Sequence, residues 1–358
     1  MCIRDRYITK EHHLYSYDKR SLCVDGVPLR KFPLSGVKNT CYPIRILNRM
    51  FRLEPRCMAR VCSDLFIIVF QKRLYVYSIK EGDFKEIIPC RKGFSNPLHL
   101  CSMYSYGDDK ILWGDYGQNS NHEEINIYQY TKTKGLTIVH TFPAGTIRHI
   151  HNIVYDEYHK RFFIFIGDFE KMAGIYVANT DFSEVKPFLI GKQDYRCVIG
   201  RVFPQGLLYA TDATMQDNYL YFVDNHDKKL KKVYDLHGSV IYGTNLNNGL
   251  LISTTVEPYP SVLGHRLLSM FDYRLGKGIK SKHVDVLYIT NDLQVKRIVR
   301  LVKDIWPMRL CQYGQVEFPE IEEADRQANI LCSPMAVRKY DGKLCEIKLD
   351  SLSFDIIK

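Results

Sequence analysis

Residues 161–168, RFFIFIGD, are an apolar, β-rich run that ends on a glycine and an acid. The same pattern returns as KILWGD (110–115), GLLYATD (206–212) and GLLISTTVE (249–257). Each run follows a turn signal, and each passes through small or hydroxyl residues before its carboxylate. The acids Asp115, Asp168, Asp212 and Glu257 lie 53, 44 and 45 residues apart. A repeat of about 40–50 residues built only from short strands is the signature of a β-propeller. The pattern predicts an all-β fold, a single β-propeller of four-stranded antiparallel blades. It also predicts one carboxylate at the same point of four successive blades.

Working outward, each run is the second strand, B, of a blade whose strands go from A (innermost) to D (outermost). The blades read as RCMARVC, DLFIIVF, RLYVYSI, FKEIIPC (56–90); LHLCSMY, KILWGD, INIYQY, GLTIVHTF (98–142); HIHNIVYD, RFFIFIGD, GIYVAN, VKPFLIG (149–191); and RCVIGRVF, GLLYATD, YLYFVD, LKKVYDL (196–236). A fifth takes SVIYGTNL, GLLISTTVE and RLLSMFD, with an outer strand within 284–301. A sixth takes MRLCQYGQVEF, ILCSPMAV and KLCEIKL. Hairpin residues such as Gly107-Asp108-Asp109 and Asn247-Asn248-Gly249 separate A from B, as expected of side chains that tolerate positive φ. Residues 318–330 are at most a short surface helix or loop. We read six blades, with seven as the alternative. Segment 21–34 (SLCVDGVPLRKFPL) has strand character and is expected to complete the last blade, hiding its edge. Residues 1–20 read as an N-terminal extension and 21–358 as one propeller domain. The opening MCIRDR resembles a translated sequencing adapter, in which case the native start and any leader are missing.

Composition narrows the class. Aromatics make up 13% of the chain, with 25 tyrosines, which suits pleated, half-buried surfaces. The net charge of +10 favours an anionic partner but lacks the dense basic stripe of a nucleic-acid binder. The basic runs 226–232 and 274–283 read as solvated surface. No apolar run approaches the ~20 residues needed to span a bilayer, so no membrane partner is expected. The 11 cysteines are odd in number, form no CxxC pair and often sit inside strand runs. They read as reduced thiols, which favours a cytoplasmic location, with a secreted or periplasmic one as the alternative.

In a propeller the B–C and D–A loops open on one face. The acids therefore share a mouth with the starts of A strands, Arg148-His149-Ile150-His151-Asn152 and Gln193-Asp194-Tyr195-Arg196. We expect His149, His151, Asp168 and Asp212 as catalytic candidates, with Asp115, Arg148, Gln193, Arg196 and Glu257 binding a ligand. His149 and His151 stand at i,i+2 and so point to one side of a strand. That spacing serves general acid–base work, or a divalent metal with Asp168; otherwise no cofactor or metal is expected. Arginines at a mouth recognise carboxylate or sulfate bidentately. Each of these residues also has a plain structural role, the acids as turn acceptors and the arginines as their counter-charges. There is no phosphate loop, GxSxG elbow or HExxH motif.

The stretch from His149 to about Asp224 resembles the bacterial Asp-box, or BNR-repeat, propellers that include the sialidases. Residues 178–185, ANTDFSEV, match the SxDxGxTW box and keep Asp181 without the glycine and tryptophan. The resemblance implies a glycan-binding or glycan-cleaving propeller, and the charge makes an acidic carbohydrate the expected partner. It would also cast Arg148, Arg196 and Arg266 as an arginine triad. No residues supply the family's Tyr/Glu nucleophile pair, and Tyr42-Pro43-Ile44-Arg45 has the wrong order for its arginine motif. The alternative is a non-catalytic scaffold with a protein partner.

Overall fold

The computed structural model describes the chain apart from residues 1–3, 19, 35, 169, 261–269, 323–328 and 358. Among the described residues there are seven β-sheets, six of four strands and one of five. They are the blades of a β-propeller, each built on a four-stranded antiparallel meander. The chain divides into two compact units, residues 55–211 with 221–231, and residues 1–54, 212–220 and 232–358.

The first of these units holds most of the strands read from the sequence. One blade is Cys57–Cys62, Leu65–Phe70, Arg73–Ser78 and Asp83–Pro89. The next is Cys101–Ser102, Lys110–Gly114, Ile125–Thr131 and Gly135–Phe142. A third is His149–Asp156, Arg161–Gly167, Gly174–Asn179 and Val185–Ile190, followed by Cys197–Phe203 and Gly206–Thr211. The run RFFIFIG is continuously apolar for a reason visible in its packing. Phe162, Ile164 and Ile166 join Leu112, Ile125 and Ile127 of the preceding blade in one core cluster. Phe163 and Phe165 join Leu207 and Tyr209 of the following blade in another. A strand buried on both faces loses the apolar–polar alternation of a half-buried one.

The other unit carries the corrections. The N-terminal residues make a meander of their own, Arg4–Ile8, Leu14–Asp18, Ser21–Val24 and Val27–Lys31. This is a seventh blade, so the six-blade reading does not hold, and residues 1–20 contribute two strands rather than a plain extension. Glu320–Ile321 joins it as a fifth, parallel strand, Tyr7 opposite Glu320 and Ile8 opposite Ile321. Residues 320–321, expected as helix or loop, are therefore extended. The last blade is completed by its own Ser353–Ile356, not by the segment 21–34. Segment 21–34 is strand as expected, but in the N-terminal blade; Arg4–Ile8 and Leu14–Asp18 escape a sequence reading because they are short. In the blade of Val240–Leu246 and Gly249–Thr254, the C strand is His283–Thr290 rather than RLLSMFD, most of which lies outside the described residues; the D strand is Val295–Val302. Met308–Cys311 is a short helix, and only Gln315–Glu317 of the expected A strand is extended.

One cross-strand pair in this unit reports on acid stability. Asp285 sits opposite Arg300. It accepts from Nε at 2.7 Å and Nη2 at 2.9 Å, with His237 Nδ1 at 3.1 Å. Burial alone would raise the Asp285 pKa, but Arg300 and His237 outweigh it and leave the carboxyl below its ordinary value. A lowered folded-state pKa stabilises the fold above the unfolded value of about 3.9 and ceases to do so as pH falls through the folded value. Asp285→Asn is expected to cost ~2 kcal/mol at pH 7, as for a hydrogen bond to a charged group. The gap to wild type in urea unfolding should narrow below about pH 4. A gap that widens in acid would contradict this assignment.

Candidate functional site

Asp168 follows the B strand Arg161–Gly167 directly and is the point on which four side chains converge, all within the unit 55–211. Oδ1 of Asp168 lies 3.1 Å from Nη2 of Arg196, 3.2 Å from Nε2 of His151 and 3.4 Å from Nε2 of His149. The Asp168 backbone carbonyl accepts from Gln193 Nε2 at 2.7 Å and from Arg196 Nη1 at 3.2 Å. Gln193 and Arg196 come from the short 3-10 turn Gln193–Tyr195 and its exit, leading into the next A strand.

The two histidines reach the same point through a break in register. His149 pairs with Gly167 and Ile150 with Ile166, but Asn152 pairs with Phe165, so His151 is the extra residue of a β-bulge. The same bulge recurs between Cys197 and Ile199 and between Val240 and Tyr242. The imidazole centroids stand 4.9 Å apart. Gly167 makes room for them: a Cβ there would lie 2.3 Å from Cε1 and Nε2 of His151 and 3.3 Å from Nε2 of His149. Gly114, at the equivalent place before Asp115, likewise admits Ile150. The glycine before each Asp is thus a matter of space.

Both ring orientations are set from behind. His149 Nδ1 is 2.6 Å from the Gly117 carbonyl, and His151 Nδ1 is 2.9 Å from the Cys197 carbonyl. A carbonyl only accepts, so each Nδ1 carries hydrogen and each ring presents Nε2 to Asp168, as an N–H donor when the ring is charged and as a lone pair when it is neutral. His149 is 3% exposed and His151 2%. Nε2 of His149 is buried without a hydrogen-bond partner. Burial lowers the His151 pKa, while Asp168 opposes it. Burial would raise the Asp168 pKa, but Arg196 and the histidines more than offset it and hold the carboxyl well below the usual range. Tyr116 packs its ring 4.7 Å from that of His149, and Arg56 lies 5.5 Å over the tyrosine.

The other expected residues behave differently. Asp115 is buried and holds its B–C turn, accepting from Arg91 at 3.1 Å, the Asn126 N–H at 3.1 Å and Tyr128 OH at 3.2 Å. It therefore plays the turn role. Arg148 is buried beside the cluster, donating from Nη2 to Gln118 at 2.9 Å. Asp212 and Glu257 belong to the other unit. Glu257 is enclosed by hydroxyl donors, Thr255 at 2.8 Å, Thr214 at 3.0 Å, and Ser239. It stands three residues beyond Thr254, the end of its B strand, so it is out of step with Asp115 and Asp168. Arg266 lies outside the described residues. Sequence reasoning missed Gly117, Gly167, Cys197 and Tyr116; only the glycine before Asp168 carried a visible signal. Residues 178–185 turn between the C and D strands, Asp181 accepting the Ser183 N–H at 3.0 Å.

Fold and site together define a β-propeller with a His–His–Asp cluster, both histidines buried and the aspartate partly exposed, at the end of a B strand. No family model and no curated protein matches the chain. Solved structures do. A dihydro-heme d1 dehydrogenase, NirN, aligns over 100% of this chain and 66% of its own, with TM-score 0.53 and 12% identity. A chain of a mitotic checkpoint complex aligns over 90% of this chain and 81% of its own, with TM-score 0.50 and 7% identity. A prolyl endopeptidase aligns over 82% of this chain and 40% of its own, with TM-score 0.50 and 10% identity. The chain spans 26% of the tricorn protease chain it also matches. At these identities the likeness is one of fold. The ten described cysteines are free thiols, and no helix among the described residues is long and apolar enough to cross a membrane.

Proposed function

We propose that this propeller binds an acidic carbohydrate at the cluster of His149, His151, Asp168, Gln193 and Arg196. The observation that carries the reading is the convergence of these side chains on one point beside a tyrosine ring. Mixed charges with an aromatic edge are what a polar, ring-shaped anionic ligand requires. The resemblance of 178–185 to an Asp-box supports the same class. If the ligand is cleaved, elimination next to a uronate carboxylate fits better than hydrolysis. Hydrolysis by retention or inversion uses two carboxylates, and among the described side chains Asp168 is the one carboxylate in this cluster, since Asp115 is bound into its turn. In elimination the proton α to the carboxylate leaves to a base, the β C–O bond breaks, and the leaving oxygen is protonated.

Calorimetry with a panel of uronate- and sialate-containing oligosaccharides tests this. We expect saturable binding, weakened about 10–100-fold in Arg196→Ala, as for losing a hydrogen bond to a charged group. Cleavage would appear as the ultraviolet absorbance of a new double bond conjugated to the carboxylate. A folded protein that binds and turns over nothing across the panel removes the reading. A protein-interaction surface is the second reading, favoured by the exposed Ile305 and Trp306. Under that reading Trp306→Ala would weaken partner binding and leave oligosaccharide titrations unchanged.

A further inference from the structure

We infer that His149, His151 and Asp168 form a binding site for a divalent transition-metal ion. The inference rests on the carbohydrate reading only for what the ion would do, namely hold the ligand's carboxylate. The ligand atoms are Nε2 of each histidine and Oδ1 of Asp168, all within 4.8 Å of one another.

Three independent features point to an ion. The first is donor chemistry. Each Nδ1 is committed to a carbonyl, Gly117 or Cys197, which is the usual way a protein orients a metal-binding imidazole. With both rings neutral, two lone pairs and a carboxylate oxygen face one another, an arrangement of acceptors that a cation satisfies. The second is the partnerless state of His149 Nε2, in a residue 3% exposed and aimed at Asp168. Buried polar nitrogens are nearly always paired, so this atom calls for a partner. The third is spacing. Two ligands each about 2.0–2.1 Å from a metal, at tetrahedral or slightly smaller angles, stand about 3.2–3.4 Å apart. Two of the three separations, Nε2 to Oδ1, match at 3.2 and 3.4 Å, and all three donors lie within 4.8 Å of one another.

Two imidazoles and one carboxylate leave coordination positions for water or a substrate oxygen, as in catalytic rather than structural sites. Two nitrogen donors with one oxygen suit zinc or ferrous iron over calcium or magnesium. The glycine before Asp168 serves the same end, because any side chain there would fill the space where the two Nε2 atoms meet. Arg196 is the competing cation, sharing Oδ1 at 3.1 Å and anchored to the Asp168 carbonyl at 3.2 Å.

The test uses the full chain without a histidine tag. It is stripped with chelator, then titrated with Zn2+ and, without oxygen, Fe2+ separately by calorimetry and thermal unfolding. We expect one ion per chain and a Tm that climbs with the logarithm of free metal, because the ion binds only the folded site. Asp168→Asn and His149→Gln should each remove the Tm rise while keeping the wild-type circular dichroism of the stripped protein. If one variant fails to fold, the other decides. An absence of stoichiometric binding and of any Tm rise with both metals overturns the inference, as does an undiminished rise in both folded variants. Oligosaccharide titrations of stripped and reloaded protein separate the two proposals. Metal bound without any sugar binding sinks the carbohydrate reading alone. Sugar bound equally well with no metal uptake sinks the metal site alone.

Discussion

Gly167→Ala is expected to abolish ligand binding at the His–Asp cluster and to lower Tm by several degrees. The added Cβ would stand 2.3 Å from two atoms of the His151 ring, well inside contact distance. The ring has nowhere to retreat. Its Nδ1 is held by the Cys197 carbonyl at 2.9 Å, and the His149 ring lies 4.9 Å away. His149 is in turn held by Gly117 at 2.6 Å. Relief therefore requires breaking one of these bonds or shifting the strand. Overpacking of this kind costs about 1–3 kcal/mol. The effect on binding is larger, because both Nε2 atoms leave the point that Asp168 occupies. The double variant Gly167→Ala, His151→Ala removes the clash together with the ring. It should recover Tm relative to Gly167→Ala without recovering binding, a coupling that unrelated sites do not show. Calorimetric binding and thermal scans on the three variants check this. Wild-type binding in Gly167→Ala would mean that the imidazole positions do not matter, and the cluster would lose its claim as a site.

The largest loss of stability is expected from Arg49→Leu. Arg49 lies in the helix Arg45–Phe51, in the unit that contains the N-terminal blade, and is 3% exposed. Its Nη1 is 2.6 Å from Asp304 Oδ2 and 3.6 Å from Asp341, and its Nε donates to the Cys311 carbonyl at 2.9 Å, with Nη2 on the same oxygen. One guanidinium thus ties the helix to the loop and short helix around Met308–Cys311. Removing it leaves the carboxylate of Asp304 with Lys303 as its remaining cation and the Cys311 carbonyl without these two donors. Breaking a buried pair by deleting one partner costs about 3–5 kcal/mol. Arg49→Lys keeps the charge but cannot bridge both groups with a planar fork, so its loss should fall between. Urea unfolding measures both. A loss below about 1 kcal/mol in Arg49→Leu, the range of a surface pair, would show that the network is not needed.

How much of this was legible in the sequence differs from element to element. The B strand RFFIFIG could be read because its side chains face apolar neighbours on both sides, and burial on two faces leaves a continuous apolar run. The strand pair at 283–302 was harder. His283–Thr290 is buried along most of its length, but it follows the B strand after a long excursion, so spacing alone assigned the C strand to RLLSMFD. The N-terminal blade was missed because two of its strands, Arg4–Ile8 and Leu14–Asp18, are only five residues each and lie in a stretch that reads as an extension, which left the strand-like 21–34 without a blade of its own. Among the acids, Asp115 and Asp168 read alike, each following a glycine at the end of a B strand. Nothing local distinguishes the acid surrounded by Arg91, Asn126 and Tyr128 from the one facing two imidazoles.

Local sequence specifies the repeat, the strand runs of most blades, and the position of His149, His151 and Asp168 at blade ends. These follow from local chemistry, since alternation, turn residues and apolar runs act over a few neighbours. Long-range pairing sets the seven blades seen among the described residues, the bulge at His151 that turns two rings onto Asp168, and the carbonyls of Gly117 and Cys197 that fix those rings. The physical reason is that register and convergence depend on pairings between residues tens of positions apart, and no short stretch of chain encodes those distances.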